Sequence, residues 1–260
     1  MKGHARDAYD ALAPAYDAFT AAHDHAAWAG QLEQLALDAG LAGRRLLDVG
    51  CGTGSSLPAM LARGYEVAGV DVSPRMIELA RAKVGPGVHL EVADMRELPR
   101  IGEFDLVWSV CDAVNCLESD DELAAAFGGF RRNLAPGGIV VFDVDTLATF
   151  RALYSSLLVV PGEGGVVVFE GLADGGLGAG DAAQAFIDRL EPAARPPFWR
   201  RVRSVHRQRH HPAEAVERAL AAAGLELVAA WGTDGAGGSE LPLDEERHRK
   251  AVYIARSERR

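Results

Sequence analysis

The sequence predicts one α/β domain with a mostly parallel central sheet and an insertion. The 260 residues suit a single α/β unit, and a composition of 48% hydrophobic and 25% charged residues excludes a disordered, collagen-like or coiled-coil chain. From Arg44 onward, short apolar runs alternate with helical patterns, as is typical of parallel sheets. A glycine-rich turn directly follows the first of these runs, at the position where open α/β sheets bind ligands.

The apolar runs give the positions of the strands. Before the first strand, Tyr9, Leu12, Tyr16 and Phe19 recur at three- and four-residue spacing, which indicates one or two helices. After it, the wound core is expected at 41–148 and 211–260. Its seven strands are predicted at 46–49, 66–70, 88–92, 104–110, 138–144, 225–231 and 251–256.

Turn and cap residues indicate the helices between these strands. Helices are predicted at 53–62, 119–134 and 212–223. Ser73 is expected to cap a further helix, with Pro74 at its first position. The run Pro136-Gly137-Gly138 is expected to end the helix at 119–134 and turn the chain into the next strand, because proline cannot continue a helix.

Residues 149–210 depart from the alternation and are expected to form an antiparallel β insertion. Their β-like segments lie at 165–172, 184–190 and 199–210, with no long helix expected between them. A glycine-rich loop is expected at 232–239, before the last strand.

Charge and cysteine content limit the classes of partner. The 27 basic and 37 acidic residues give a net charge of −10, which argues against nucleic acid as the main partner. Cys51, Cys111 and Cys116 are odd in number and lack the C-x-x-C spacing, so neither a disulfide framework nor a metal site is expected. No apolar run is long enough for a membrane span and no secretory signal is recognised, so we expect no membrane partner and a cytoplasmic protein.

The strongest motif is the run Leu46-Leu47-Asp48-Val49-Gly50-Cys51-Gly52-Thr53-Gly54, a strand that leads into a glycine turn. Glycine permits positive φ and lets a ligand approach the backbone closely. The spacing is G-x-G-x-G and position 55 is serine, so the G-x-G-x-x-G fingerprint of dinucleotide sites is not met. A nicotinamide oxidoreductase would need that glycine, and a titration with NADH would test this rival.

Two acids follow the next two strands. Asp71 ends the second strand, where a carboxylate can accept hydrogen bonds from both hydroxyls of a ribose. Asp94 ends the third strand and suits an adenine amino group, with Met95 against the ring. Taken alone, Asp94 could equally be a helix cap.

Together with the Pro136-Gly137-Gly138 turn, these motifs resemble those of the class I S-adenosylmethionine-dependent methyltransferases, over about 41–148 and 212–257. The resemblance implies a Rossmann-like sheet of seven strands with the last strand antiparallel. The tyrosine–aspartate pairs at 9–10 and 16–17 are similar to the N-terminal lid of small-molecule methyltransferases, including amino-sugar N-methyltransferases and glycine N-methyltransferase-like proteins. Residues 1–40 are therefore expected to form a helical lid.

The resemblance also implies a site for S-adenosylmethionine, with S-adenosylhomocysteine as product. Gly50 and Gly52 would flank the methionine and ribose parts, Asp71 would hold the ribose, and Cys111 would offer a backbone contact near the methionyl group. Tyr16 would close over the cofactor carboxylate, or alternatively be an ordinary core aromatic. The expected cofactor residues are Tyr16, Trp28, Asp48, Gly50, Gly52, Asp71, Val72, Met76, Asp94, Met95 and Cys111.

Methyl transfer needs positioning and, for many acceptors, a base. Asp112 follows the fourth strand, and His206 and His210 share one face of the strand predicted at 199–210. These three are the candidate catalytic residues. His206 has an ordinary pKa suited to base chemistry near neutral pH, although a histidine in a short strand can also be purely structural.

The segment 192–213 contains six arginines and no acid, which leaves the acceptor class open. Such runs are mostly solvated faces, but one or two arginines could clamp an anionic substrate. We expect methyl transfer to a nitrogen or oxygen of a small molecule. The alternatives are a binding module that senses S-adenosylmethionine without catalysis and a methyltransferase acting on RNA or protein. Oligomeric state is left open.

Overall fold

Two sheets organise the chain, one of eight strands and one of four. The structure, a computed structural model, describes residues 4–162, 164–173, 176–194, 197–234 and 238–257. The expected loop at 232–239 and the arginine run at 192–213 therefore lie partly outside the described residues, at 235–237 and 195–196.

The strands take the following bounds. They are β1 Arg45–Val49, β2 Glu66–Asp71, β3 His89–Val92, β4 Phe104–Ser109, β5 Leu134–Asp145, β6 Leu157–Gly162, β7 Gly165–Gly171, β8 Ala182–Pro192, β9 Trp199–Arg209, β10 Leu225–Thr233, β11 Ser239–Glu240 and β12 Lys250–Ser257. The helices are α1 His4–Leu12, α2 Tyr16–Phe19, α3 His25–Asp38, α4 Leu57–Ala62, α5 Pro74–Val84, α6 Asp120–Asn133, α7 Leu147–Tyr154 and α8 Ala213–Ala222.

The large sheet confirms the predicted fold class. Its order is β11-β10-β12-β5-β4-β1-β2-β3, and β1 to β5 pair in parallel. The last strand, β12, is antiparallel to both β5 and β10. The seven predicted strands are all present, and the two-residue β11 adds an eighth at the edge.

The predicted cap at Ser73 is present, but the helix predicted at 53–62 and the turn predicted at 136–138 differ from the structure. Ser73 accepts a hydrogen bond from the Met76 amide and so caps α5. The helix predicted at 53–62 begins only at Leu57, because Gly52 and Gly54 hold positive φ of 54° and 73° and keep the backbone out of the helix. The turn expected at 136–138 was wrong as well: β5 begins directly after α6, with a register shift against β4.

The insertion contains more regular structure than predicted. The four-stranded sheet has the order β6-β7-β8-β9, all antiparallel. Neither α7 nor β6 was foreseen, because the stretch at 153–169 was interpreted as one apolar run, whereas it contains the end of a helix and two strands in succession.

The core positions the site between the sheets. Apolar clusters cover both faces of the large sheet, with α6 and α8 on one side and α3, α4 and α5 on the other. A third cluster joins Leu12 of α1 to Phe169 and Ile187 of the small sheet and to Tyr154 of α7. Among the described residues, no helix has the length and apolar character needed to cross a membrane.

Candidate active site

A cleft lies at the carboxyl ends of β1, β2 and β3, where an open parallel sheet binds ligands. It encloses about 1100 Å³ of space, and we call it the glycine cleft. Ten of the eleven expected cofactor residues line it: Tyr16, Asp48, Gly50, Gly52, Asp71, Val72, Met76, Asp94, Met95 and Cys111. The eleventh, Trp28, lies outside it, and its indole Nε1 donates to Asp143 Oδ2 at 2.9 Å.

The glycine turn brings the backbone close to the wall of the cleft. Gly50 has a φ of 81°, and a Cβ placed there would lie 2.9 Å from the Cβ of Ala113 and 3.5 Å from Cε of Met95. A side chain at this position would therefore displace Ala113, which lines the cleft together with Met95. Glycine meets both requirements of the position, because it takes positive φ and has no Cβ.

Asp71 is buried at the end of β2 and supports the turn. Its Oδ2 accepts from the Gly52 amide at 2.9 Å, and its Oδ1 accepts from the Ser73 amide at 2.8 Å. Burial raises the pKa of Asp71 to about 6. Each carboxylate oxygen keeps a further lone pair for a ligand hydroxyl.

Asp48 is a buried carboxylate in β1, two residues before the glycine turn. Its Oδ2 accepts from the Ser56 hydroxyl at 2.8 Å. Burial raises the pKa of Asp48 to about 6, although the Ser56 hydroxyl and the indole of Trp108 work to lower it. Both of these donors belong to the protein itself.

Asp94 caps a short helix and also lines the glycine cleft. Its Oδ1 accepts from the Arg96 amide at 3.0 Å, so it caps the short helix at 95–97. Its Oδ2 is 2.6 Å from Nη2 of Arg96, which also reaches Glu122. The carboxylate still lines the cleft, held in place by its own neighbour.

The N-terminal lid is attached to the turn by two aspartates. Asp10 Oδ1 accepts from the Ser73 hydroxyl at 2.5 Å. Asp17 Oδ1 accepts from the Thr53 hydroxyl at 2.5 Å, and its Oδ2 is 3.0 Å from Nζ of Lys83. These contacts hold α1 and α2 against the glycine cleft.

A second cavity adjoins the first, and we call it the lid cavity. It encloses about 1160 Å³ between the lid, the small sheet and the ends of β5 and β12. Tyr9, Tyr16, His25 and Cys111 line both spaces, so the two sites meet at these side chains. Two adjoining compartments are the arrangement required to bring two ligands together.

A lysine at one end of the lid cavity pairs with three carboxylates, of which Asp112 and Asp145 line the cavity and Asp143 is buried behind it. The ammonium of Lys250 lies 3.0, 3.0 and 3.1 Å from one carboxylate oxygen each of Asp112, Asp143 and Asp145. Burial opposes the charge of Lys250, but the three carboxylates raise its pKa well above the ordinary value. Burial raises the pKa of Asp145 to about 7, although Lys250 works to lower it.

Sequence reasoning identified Asp112 in this cluster and missed the other members. A signal for Asp143 and Asp145 was present, because they alternate at the carboxyl end of β5 and so reach the ligand edge of the sheet. Lys250 gave no such signal: it pairs in register with Asp145 only because β12 runs antiparallel to β5.

Asp143 also fixes the loop that separates the two sites. Its carboxylate accepts from the amides of Cys111 and Asp112 at 2.9 and 2.8 Å. Both residues hold left-handed conformations, with φ of 59° and 56°. Such backbone is costly for residues other than glycine, so the buried carboxylate is needed to maintain it.

The two candidate histidines lie in different surroundings. His206 lines the lid cavity, with Nε2 3.0 Å from the Ser204 hydroxyl and its ring edge-on to Tyr9. Burial lowers the pKa of His206 to about 4, which corrects the sequence expectation of a base matched to neutral pH. His210 lies outside both cavities, and its Nδ1 and Nε2 are each 3.2 Å from a partner, the Gly180 amide and Glu245.

The arginines of β9 are largely paired. Arg201 and Arg203 both bind Asp188, at 2.6 and 2.7 Å, and Arg209 binds Asp120 at 2.7 Å. Arg200 pairs with Glu191 on the neighbouring strand. Arg207 differs, because it lines the lid cavity and its buried Nε has no hydrogen-bond partner among the described residues.

Comparisons with known proteins agree with this geometry. A family model described as a methyltransferase domain matches residues 46–138. The chain is 34% identical over 140 residues to the putative methyltransferase YqeM of Bacillus subtilis (strain 168), covering 52% of this chain and 55% of that protein. It is 35% identical over 130 residues to dTDP-4-amino-2,3,4,6-tetradeoxy-D-glucose N,N-dimethyltransferase of Saccharopolyspora spinosa, covering 49% of this chain and 52% of that protein.

The chain therefore spans about half the length of the curated relatives that it matches. The likeness in three dimensions is more extensive. The sugar N-methyltransferase KedS8 from Streptoalloteichus sp ATCC 53650 superimposes with a TM-score of 0.73 at 29% identity, covering 94% of this chain and 93% of that structure. The shared fold thus extends beyond residues 46–138 to most of the chain.

Proposed function

We propose that the chain is a class I S-adenosylmethionine-dependent methyltransferase and that it methylates the nitrogen of a small-molecule amine. S-adenosylhomocysteine is the second product. The glycine cleft holds the cofactor. The lid at 1–40 and the insertion at 149–210 shape the acceptor pocket, which is the lid cavity.

The fit of the cofactor rests on the glycine turn and on the buried carboxylate of Asp71. When bound, S-adenosylmethionine would supply a methyl group on a sulfonium, whose sulfur is the leaving group. Asp71 would accept hydrogen bonds from the ribose hydroxyls, and Met95 would pack against the adenine.

The relatives support the choice of an amine. Two of the proteins that the chain resembles are an amino-sugar N,N-dimethyltransferase and a sugar N-methyltransferase. In the lid cavity Asp112 and Asp145 lie beside Lys250, so carboxylate oxygens are available to an amine at that end.

A protonated amine must lose its proton before it can attack, and Asp145 is placed to accept it. Its raised pKa of about 7 matches that of a base working near neutral pH. His206 stays neutral and accepts a hydrogen bond from the acceptor. The closed lid excludes water and aligns the two ligands, and such positioning supplies up to about 7 to 11 kcal/mol of the barrier reduction.

The amine proposal is tested with methyl-labelled S-adenosylmethionine and a panel of amino sugars and other small amines. We expect label in amines and none in matched compounds that carry a hydroxyl in place of the amino group. An extract, separated by size, extends the panel: label confined to RNA or protein, or no label in any fraction, would overturn the proposal. Incorporation of the label into the hydroxyl compounds would instead identify oxygen as the methylated atom.

A variant of the proposed base sharpens this test. We expect Asp145→Asn to lower kcat by about a hundredfold or more while the affinity for S-adenosylhomocysteine stays within twofold or so, because the residue acts only on the acceptor. His206→Asn serves as the comparison and should leave the pH profile of kcat unchanged. Full activity of Asp145→Asn would remove the base role.

Two glycines of equal backbone strain test the role of the glycine turn. Gly50 and Gly64 have φ of 81° and 83°, but a Cβ at Gly64 would meet nothing within 4 Å. Both alanine variants should lose about 1–2 kcal/mol of stability from the positive φ, and Gly50→Ala should lose more, because its Cβ would clash with Ala113. Only Gly50→Ala should also weaken binding of S-adenosylhomocysteine by more than about tenfold, since its methyl group displaces Ala113 on the cleft wall. Titration calorimetry measures this, and equal affinities would place the cofactor elsewhere.

A further inference from the structure

Three potential metal ligands meet where the two cavities join. Sγ of Cys111 lies 3.7 Å from Nε2 of His23 and 3.8 Å from Nδ1 of His25. All three ligand atoms lie within 4.8 Å of one another, the one such group found among the described residues. The chain brings them together from the lid and from the loop after β4, 86 or more residues apart in sequence.

The distances match a tetrahedral ion. Zinc bonds of about 2.0–2.1 Å to nitrogen and about 2.3 Å to sulfur put the ligand atoms of a tetrahedral site about 3.6 Å apart. The observed separations of 3.7 and 3.8 Å between sulfur and nitrogen differ from this only slightly. The two imidazole nitrogens lie within 4.8 Å of each other, against about 3.4 Å in such a site, so the two rings must approach each other to bind an ion.

The ligands are already oriented by contacts on their outer sides. Nε2 of His25 lies 3.4 Å from the Thr20 hydroxyl, so a proton on Nε2 leaves the lone pair of Nδ1 directed at Cys111. The Thr20 hydroxyl in turn donates to the carbonyl of Tyr16 at 3.0 Å. Asp143 fixes the Cys111 backbone. Hydrogen bonds of this kind orient the ligands in established metal sites.

The cluster also has an open side. The side chains of His23, His25 and Cys111 all line the lid cavity, so the fourth tetrahedral position adjoins that space. Three protein ligands with one open position form the pattern of zinc sites that bind water or substrate.

We propose that His23, His25 and Cys111 form a zinc-binding site that ties the lid to the loop after β4. Its fourth ligand is water or a donor atom of the molecule in the lid cavity. A thiolate with two imidazoles selects zinc over magnesium or calcium, which prefer oxygen ligands. The site stands on its own geometry, so it holds whether or not the acceptor is an amine.

The test is titration of the reduced, metal-free protein with Zn²⁺ and with Co²⁺ as a spectroscopic probe. We expect about one ion per chain and, with cobalt, a thiolate-to-metal charge-transfer band together with the intense visible absorption of tetrahedral cobalt. Mg²⁺ should not compete. Absence of tight binding at one equivalent, or an octahedral cobalt spectrum without a sulfur band, would overturn the proposal.

Variants identify the ligands. Cys111→Ser should abolish the sulfur band, and both Cys111→Ser and His23→Gln should weaken zinc binding by more than about a hundredfold; His23 is exposed, so its loss should not impair folding. Thr20→Val, which removes only the outer contact to His25, should cost about tenfold. Cys116→Ser is the matched control, because its sulfur lies near Tyr9 and outside the cluster. An unchanged band in Cys111→Ser would refute the site.

Discussion

Replacing Asp71 with alanine is expected to weaken the binding of S-adenosylhomocysteine by about a hundredfold. The variant loses the acceptor for the ribose hydroxyls, and it also releases the Gly52 and Ser73 amides that Asp71 holds at 2.9 and 2.8 Å. Hydrogen bonds to a charged group each contribute about 1.5–3 kcal/mol, so losing two accounts for the expected effect. Titration calorimetry on the purified variant gives the affinity directly.

A carboxylate at the other end of the sheet controls for structural damage. Asp105 lies near the start of β4 and accepts from the Arg45 amide at 2.9 Å, which resembles the backbone contacts of Asp71 far from the cleft. Asp105→Asn should leave the affinity unchanged. If Asp71→Ala bound S-adenosylhomocysteine as tightly as this control, Asp71 would have no place in the cofactor site.

The buried state of Asp71 also gives binding a pH dependence. Burial raises its pKa to about 6, and the ribose hydroxyls favour the ionised form, so binding releases a proton in this range. The affinity should therefore rise as the pH increases through about 6 and level off above it. Asp71→Asn should show a shallower dependence, with Asp48 as the remaining group of raised pKa, also about 6.

Replacing Lys250 with methionine should lower the free energy of unfolding by about 3–5 kcal/mol. The change leaves Asp112, Asp143 and Asp145 facing one another without their shared cation, and Asp143 is fully buried. At present burial works to raise the pKa of Asp143, but Lys250 and the surrounding donors hold it below its ordinary value. Calorimetric unfolding should show the melting temperature reduced by about 10 °C.

An exposed lysine supplies the matched control. Lys83 pairs with Asp17 at 3.0 Å, but the two side chains remain 29% and 55% exposed. Solvent screens such a pair, so Lys83→Met should cost less than about 1 kcal/mol. Equal losses for the two variants would mean that the buried cluster contributes no more than a surface ion pair.

The cofactor residues could be predicted because each one is encoded locally. Gly50, Asp71 and Asp94 each lie at the carboxyl end of a strand or within two residues of it, and the carboxyl ends of parallel strands meet at one edge of the sheet. Once the alternation of strands and helices is recognised, these residues must lie close together. No long-range contact has to be known, which is why ten of the eleven expected residues line one cleft.

The acceptor side could be predicted only in part. The alternation along β9 correctly placed His206 on the inward face, since side chains of a strand alternate. Alternation could not show which of the two histidines lines a cavity. It assigns His210 to the same face as His206, but His210 is outside both cavities and contacts Glu245. Nor could alternation give the pKa of His206, because desolvation depends on what the lid and α7 place above the strand.

The sequence by itself thus determined the parallel sheet, the glycine turn and the carboxylates of the cofactor cleft, since these follow from local pattern and strand polarity. The tertiary structure alone brought Lys250 to Asp145 and the lid histidines to Cys111. Lys250 meets the carboxylates because β12 runs antiparallel to β5, and the histidines meet Cys111 because the lid packs against the loop after β4. In both cases the residues are roughly ninety or more positions apart in the sequence. Their geometry and their electrostatics are set by burial, a property of the assembled fold that no spacing along the chain expresses.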